Sequence, residues 1–183
     1  MTGCTRRHRL ARPHQGEGQP PARLHRLTVL LVRHAEAGDR SRWSGPDEVR
    51  PLTPEGWRQA EGLVAMLSGF VIRRLVSSPH VRCRQTVEPL AASRVLPIDD
   101  DQRLAEGGGI AEALDLLAAG DDAAMCSHGD IIKGTVRHLH ETGVPLDGGL
   151  QWQKGSTWVL QIGNGEIVSG RYLPPPDTGA GEP

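Results

Sequence analysis

Val29-Leu30-Leu31-Val32-Arg33-His34-Ala35-Glu36-Ala37-Gly38 is an apolar run of strand type that stops abruptly at an arginine, a histidine and then small residues. With no polar residue from Val29 to Val32, it suits a sheet position buried on both faces, and such strands present functional groups at their carboxyl ends. Arg33 and His34 sit at that end. A second run, Met125-Cys126-Ser127-His128-Gly129-Asp130, is also stopped by a histidine and a glycine. Two histidines at two strand ends point to one shared site.

Working outward, the polar segment from Gly38 to Arg50 is a loop on the side where the first strand ends, and Arg40 and Arg42 are its candidate substrate contacts. Thr53-Pro54-Glu55 predicts a helix start, with Thr as N-cap and Pro at the first helical position. Ala60, Leu63, Val64 and Leu67 continue it at helical spacing. Arg74 to Ser77 reads as a strand leading to a helix that ends near Ala92. Val95 to Ile98 reads as a weak strand, and Leu104 to Gly109 as a turn before a helix from Ile110 to Ala119. A strand from Ala123 to Ser127 and a helix to about Thr142 follow. Ser156 to Ile162 and Glu166 to Tyr172, around Gly163-Asn164-Gly165, form a β-hairpin at the sheet edge. Strands alternating with helices predict an α/β fold: a single-domain three-layer sandwich with a mainly parallel sheet and helices on both faces.

The 183 residues carry a net charge of −1, yet residues 1–26 hold Arg6, Arg7, Arg9, Arg12, Arg23 and Arg26 against Glu17 alone. The basic charge is therefore an arm, expected to be disordered, and not a face for a nucleic acid polymer. The folded domain is expected over 27–173, with 174–183 as a disordered tail. No stretch approaches the length of a membrane span, and Cys4, Cys83 and Cys126 have no paired or metal-ligand spacing. The expectation is a cytoplasmic protein with no metal or other cofactor, no membrane contact and an oligomeric state left open.

Arg33-His34-Ala35-Glu36, Leu52-Thr53-Pro54-Glu55-Gly56 with Gln59-Ala60, Ser77-Ser78-Pro79 with Arg82, Gln85 and Thr86, and Ser127-His128-Gly129 occur in that order. Together they resemble the histidine phosphatase superfamily, the phosphoglycerate mutase-like fold, and its small branch of SixA-type phosphohistidine phosphatases. The loop at Arg42-Trp43-Ser44-Gly45 and the segment Lys154 to Trp158 are also similar to the histidine phosphatase domain fused to Nudix hydrolases. No Nudix pattern occurs in this sequence.

Phosphoryl transfer needs a nucleophile and fixed positive charge around the equatorial oxygens. His34 is the candidate nucleophile, Arg33 and Arg82 are candidate bidentate forks, and His128 is a further phosphate donor beside a helix start. Taken singly, a strand-end histidine is more often structural; the combination gives these two their weight. The resemblance implies an acid after an intervening strand, and Glu106 stands there, with Glu36 and then Asp130 as alternatives. His80, His138 and His140 are read as ordinary histidines, and Cys126 as a core residue.

The expected function is a metal-independent phosphohydrolase that forms a phosphohistidine and acts on a small phosphorylated metabolite or nucleotide. The alternatives are a protein phosphohistidine phosphatase of SixA type and a catalytically idle phosphate-binding module. Little sequence remains for a cap over the site, so an open pocket is expected and a mutase is disfavoured.

Overall fold

The computed structural model describes residues 27–179 together with Met1. The expected arm over 1–26 lies, apart from Met1, outside the described residues. Seven strands form one sheet: β1 (Leu27–Arg33), β2 (Arg74–Ser77), β3 (Ile98–Asp100), β4 (Ala123–Ser127), β5 (Leu146–Asp147), β6 (Thr157–Gly163) and β7 (Glu166–Leu173). Their order is β3-β2-β4-β1-β6-β7-β5. The neighbours from β3 to β1, and the pair β5 with β7, are parallel; β6 runs antiparallel to both β1 and β7. The sheet is thus mixed, a parallel block extended by the hairpin.

Four helices cover it: α1 (Pro54–Met66), α2 (Val81–Arg94), α3 (Ile110–Ala118) and α4 (Gly129–Glu141). Side chains alternate along a strand, so β1 feeds two cores. Leu30 and Val32 pack with Leu63 of α1, with Leu67 just past its end, and with Val87 and Leu90 of α2. Val29 and Leu31 pack with Leu116 and Leu117 of α3 and with Ile132 and Val136 of α4. This confirms the three-layer α/β sandwich. Among the described residues no helix is long and apolar enough to cross a membrane.

Thr53 caps α1 as its sequence predicts: its side chain accepts from the Gly56 amide, with Pro54 in the first turn. A Cβ on Gly56 would stand 2.0 Å from the Glu36 carbonyl oxygen, which also accepts from the Thr53 amide and hydroxyl. Gly56→Ala must therefore push α1 off the loop after β1. The expected cost is about 1–3 kcal/mol, read as a lower denaturation midpoint at an unchanged slope.

Two readings of the sheet need correction. The strand placed at Val95 to Ile98 begins only at Ile98, because Val95 ends α2 in the left-handed region (φ 54°) and Pro97 lacks an amide for the ladder. β5, two residues long, was not foreseen; so short an edge strand carries no periodicity. Within the expected tail over 174–183, Thr178 Oγ1 donates to Glu55 Oε1 at 2.7 Å, and Pro176 occupies the space that a side chain at Gly62 would fill. Residues 180–183 lie outside the described residues.

Candidate active site

Parallel pairing fixes the site. Arg33 is level with Ser127, and Ser77 with Cys126, so β1, β2 and β4 all finish on one edge. The pairing continues one residue further, as the His34 amide donates to Ser127 O at 3.0 Å and the Ser78 amide to Cys126 O at 2.9 Å. His34 and His128 are thereby brought together with ring centroids 5.4 Å apart.

His34 is 6% exposed. Its Nδ1 lies 2.8 Å from the Ala35 carbonyl, which can only accept, so the proton is on Nδ1 and Nε2 keeps its lone pair. Burial pulls its pKa from 6.5 to about 3, and the charges of Arg82, Arg33 and Lys154 act the same way against the opposing Ala35 bond. The ring is held neutral, as a nucleophile must be. Thr86 braces this turn: its hydroxyl accepts from the Ala35 amide at 2.9 Å and donates to Arg82 O at 2.7 Å. Gln59 and Gln85 hold the Glu36 and Leu52 amides in the same manner.

Arg82 is 1% exposed. Its Nη2 contacts Glu106 Oε2 at 2.7 Å, Asp47 Oδ2 at 2.9 Å and His128 Nδ1 at 3.2 Å, while Nη1 donates to Asp47 O at 2.7 Å. Its Nε is buried without a partner, as is Nε of Arg33. Both orphaned donors point to an absent acceptor, since buried guanidinium N–H groups are costly to leave unpaired. Arg33 is fixed from the other side by the Trp152 carbonyl, and a Cβ on Gly129 would meet its guanidinium at 2.7 Å. Glycine after His128 leaves Arg33 its place.

Of the other candidates, Arg40 reaches the site, 3.6 Å from Asp47 and 4.0 Å from Glu106. Arg42 lies instead in a neighbouring hollow with Trp43 and Leu52. Glu36 is ion-paired with Lys154 at 2.8 and 3.0 Å, and Asp130 accepts from the Gly107 amide. Cys126 is fully buried, which pushes its thiol pKa well up and suits a core residue.

Asp47, Arg50, Lys154 and His80 were missed. Burial would raise the Asp47 pKa, but its bond to Arg50 and the charges of Arg82, Arg50 and Arg40 prevail, leaving it at about 2. Arg50 links Asp47 to the Ala37 carbonyl and so straps the loop to the end of β1. His80 was read as an ordinary histidine, yet its Nδ1 lies 2.8 Å from His128 Nε2. The adjacency of Ser78-Pro79-His80 to the Arg82 helix start was the available signal.

These groups surround an open cleft of about 560 Å³ lined by Arg33, His34, Arg40, Arg82, Glu106 and Lys154, among others. It is smaller than a hollow of about 650 Å³ against β6 and β7, but His34 and the two buried arginines line the cleft and not that hollow. No group of three metal-ligating side chains occurs among the described residues. The arrangement can hold a phosphoryl dianion against a buried neutral imidazole.

The sheet order and its helical layers are those of the phosphoglycerate mutase-like fold. A model of the histidine phosphatase superfamily (branch 1) matches residues 29–115. The chain belongs to the histidine phosphatase superfamily. An 8-oxo-(d)GTP phosphatase of Mycolicibacterium smegmatis is 38% identical over 157 residues, 82% of this chain and 49% of that protein. The chain thus spans about half the length of that relative. Among solved structures, the protein histidine phosphatase SixA complexed with tungstate has a TM-score of 0.65 at 21% identity, covering 83% of this chain and 97% of that one. A mycobacterial glucosyl-3-phosphoglycerate phosphatase in complex with VO3 has a TM-score of 0.61 at 15% identity, covering 82% and 100%. These two likenesses show the shared fold.

Proposed function

We propose that this chain is a metal-independent phosphohydrolase that carries the phosphoryl group on His34, and that its substrate is a phosphorylated small molecule, a nucleotide foremost. The observation that carries the reading is the fixed tautomer of His34: a buried neutral ring with its Nε2 lone pair free and two arginines bearing unpaired N–H groups beside it. Nε2 attacks phosphorus, the bond to the leaving oxygen breaks, and the two guanidinium groups spread the charge on the equatorial oxygens. Water then attacks phosphorus, the P–N bond breaks as the new P–O bond forms, and inorganic phosphate leaves the imidazole free. Glu106 stands where the leaving oxygen can receive a proton, and His128 adds a donor.

The nucleotide preference draws on the 38% identical relative named for an oxidised guanine nucleotide. The cleft's cations, with Lys154 and Arg40 beyond Arg33 and Arg82, suit a substrate with more than one phosphate. The free, buried Cys83 and Cys126 fit the reducing cytoplasm proposed for it. A phosphohistidine protein is the second reading, favoured by the openness of the cleft. The test compares kcat/KM, in the presence of a chelator, on nucleoside di- and triphosphates with and without the 8-oxo group, on sugar phosphates and on a phosphohistidine protein. A nucleotide is expected to lead by at least about tenfold, worth about 1.4 kcal/mol. A lead of that size for the phosphoprotein would install the second reading, and no hydrolysis of any of them, or of p-nitrophenyl phosphate, would leave a binding module.

A further inference from the structure

Both ring nitrogens of His128 are engaged. Nδ1 lies 3.2 Å from Arg82 Nη2, while Nε2 lies 2.8 Å from Ser78 Oγ and 2.8 Å from His80 Nδ1. A guanidinium nitrogen can only donate, so His128 accepts at Nδ1 and carries its proton on Nε2. His80 Nδ1 is then also an acceptor, and the His80 proton sits on its far nitrogen. The two rings cross at 84° with centroids 4.6 Å apart. His80 stands at the N-cap of α2 without making a capping bond, so its side chain is committed to His128 and not to the helix.

His128 therefore turns a lone pair toward Arg82, the wrong polarity for a phosphate oxygen. To donate there, Nδ1 must gain a proton. Keeping the Nε2 proton as well would place a full charge on a ring that is 1% exposed. Burial, reinforced by His34, Arg82 and His80, pulls that ring's pKa to about 2. His80 is less buried, and the hollow beside it is lined by Asp47, Glu48, Glu106 and Asp130 together with Arg40. Burial and then Arg82 hold the His80 pKa below its ordinary value, against the pull of Glu106, Glu48 and Asp47, so His80 is neutral until further negative charge arrives.

Resting on the phosphatase reading, we propose that His80 is a positioning residue that takes the Nε2 proton of His128 when His128 becomes a donor to bound phosphate. The protons balance. Nδ1 of His128 gains one from solvent or from the P–OH of a monoanionic substrate, and the Nε2 proton crosses 2.8 Å to His80 Nδ1. His128 stays neutral, His80 becomes imidazolium, and the pair holds one proton more than before. Occupancy of the site by a dianion thus raises the pKa of His80, so binding takes up a proton and weakens as pH rises through that window.

Tungstate is a suitable probe, because it is shaped like phosphate and keeps its charge from about pH 6.5 to about pH 8.5 while the histidines titrate. Calorimetry in buffers of different ionisation enthalpy gives the protons taken up on binding to wild type and to His80→Gln. Glutamine can face His128 Nε2 with either its oxygen or its amide nitrogen, so it supports both tautomers without binding a proton. Wild type is expected to take up close to one proton more than the variant. Its affinity should fall more steeply with pH, by up to about tenfold per unit. Equal uptake overturns the inference. A second readout needs no variant: the ring ¹⁵N shifts of His128 should show its proton moving from Nε2 to Nδ1 when tungstate binds, and a ring that keeps Nε2–H overturns it equally. No tungstate binding by wild type would instead overturn the phosphate-site reading beneath the proposal.

Discussion

His34→Ala should lower kcat by at least about 10⁴-fold and abolish the phosphoryl label that brief reaction with radioactive substrate leaves on the wild type. The label should be labile in acid and stable in base, as a phosphoramidate is. The size of the loss follows from geometry: His34 keeps a free Nε2 lone pair in the cleft that Arg33 and Arg82 line, the Nδ1 lone pair of His128 is taken up by Arg82, and Cys126 is sealed in the core. Because the His34 ring is held neutral down to about pH 3, its protonation should leave no trace in a rate profile at ordinary pH. Label that persists in His34→Ala, or that maps to Cys126, would show another mechanism at work. His128→Ala should slow transfer without moving the label.

The second large effect is expected at Glu106, and it separates two roles. As a general acid, Glu106 matters for a basic alkoxide leaving group and hardly at all for nitrophenolate, which departs unaided. Glu106→Gln should lose about 10²- to 10⁴-fold in kcat on alkyl phosphates and far less on p-nitrophenyl phosphate. The same carboxylate is also a counter-ion, 2.7 Å from Arg82 Nη2. Neutralising it removes a competitor for that arginine, so KM should fall on both substrates. A fall in kcat together with a fall in KM is the signature of both roles in one residue. Equal kcat losses on the two substrates would assign Glu106 to positioning, and no loss would pass the acid to Glu36 or mark a leaving group that needs none, as a phosphohistidine would be.

The legible part of this molecule is the part governed by neighbours in sequence. Val29 to Val32 is apolar without a break and stops at Arg33, which made both the buried strand and its functional end readable. Ala123 to Ser127 announced His128 in the same way, and parallel register then brought the two ends together. Asp47 gave no such sign, because its meaning lies in a pairing with Arg82, 35 residues away, across a loop with no periodicity. His80 was hidden likewise by its partner 48 residues on. Arg40 and Arg42 looked equivalent in sequence, and only the fold of the 310 turn that contains both sends one to the cleft and the other past it. The hairpin was clear from Gly163-Asn164-Gly165, whereas Val95 defied its own preference for strand by closing a helix.

The path of the chain after β7 sets where anything joined to this domain would emerge. Residues past Leu173 run back along α1 until Thr178 reaches Glu55, in the first turn of the helix whose cap, Thr53, is bonded to the Glu36 carbonyl. The last described residues thus lie against the end of α1 whose cap is bonded to the loop after the nucleophile strand. The other end is different: Leu27 opens a strand of seven residues whose last, Arg33, lies at the catalytic edge. Leu27 therefore stands about 20 Å from that edge, on the opposite rim of the sheet.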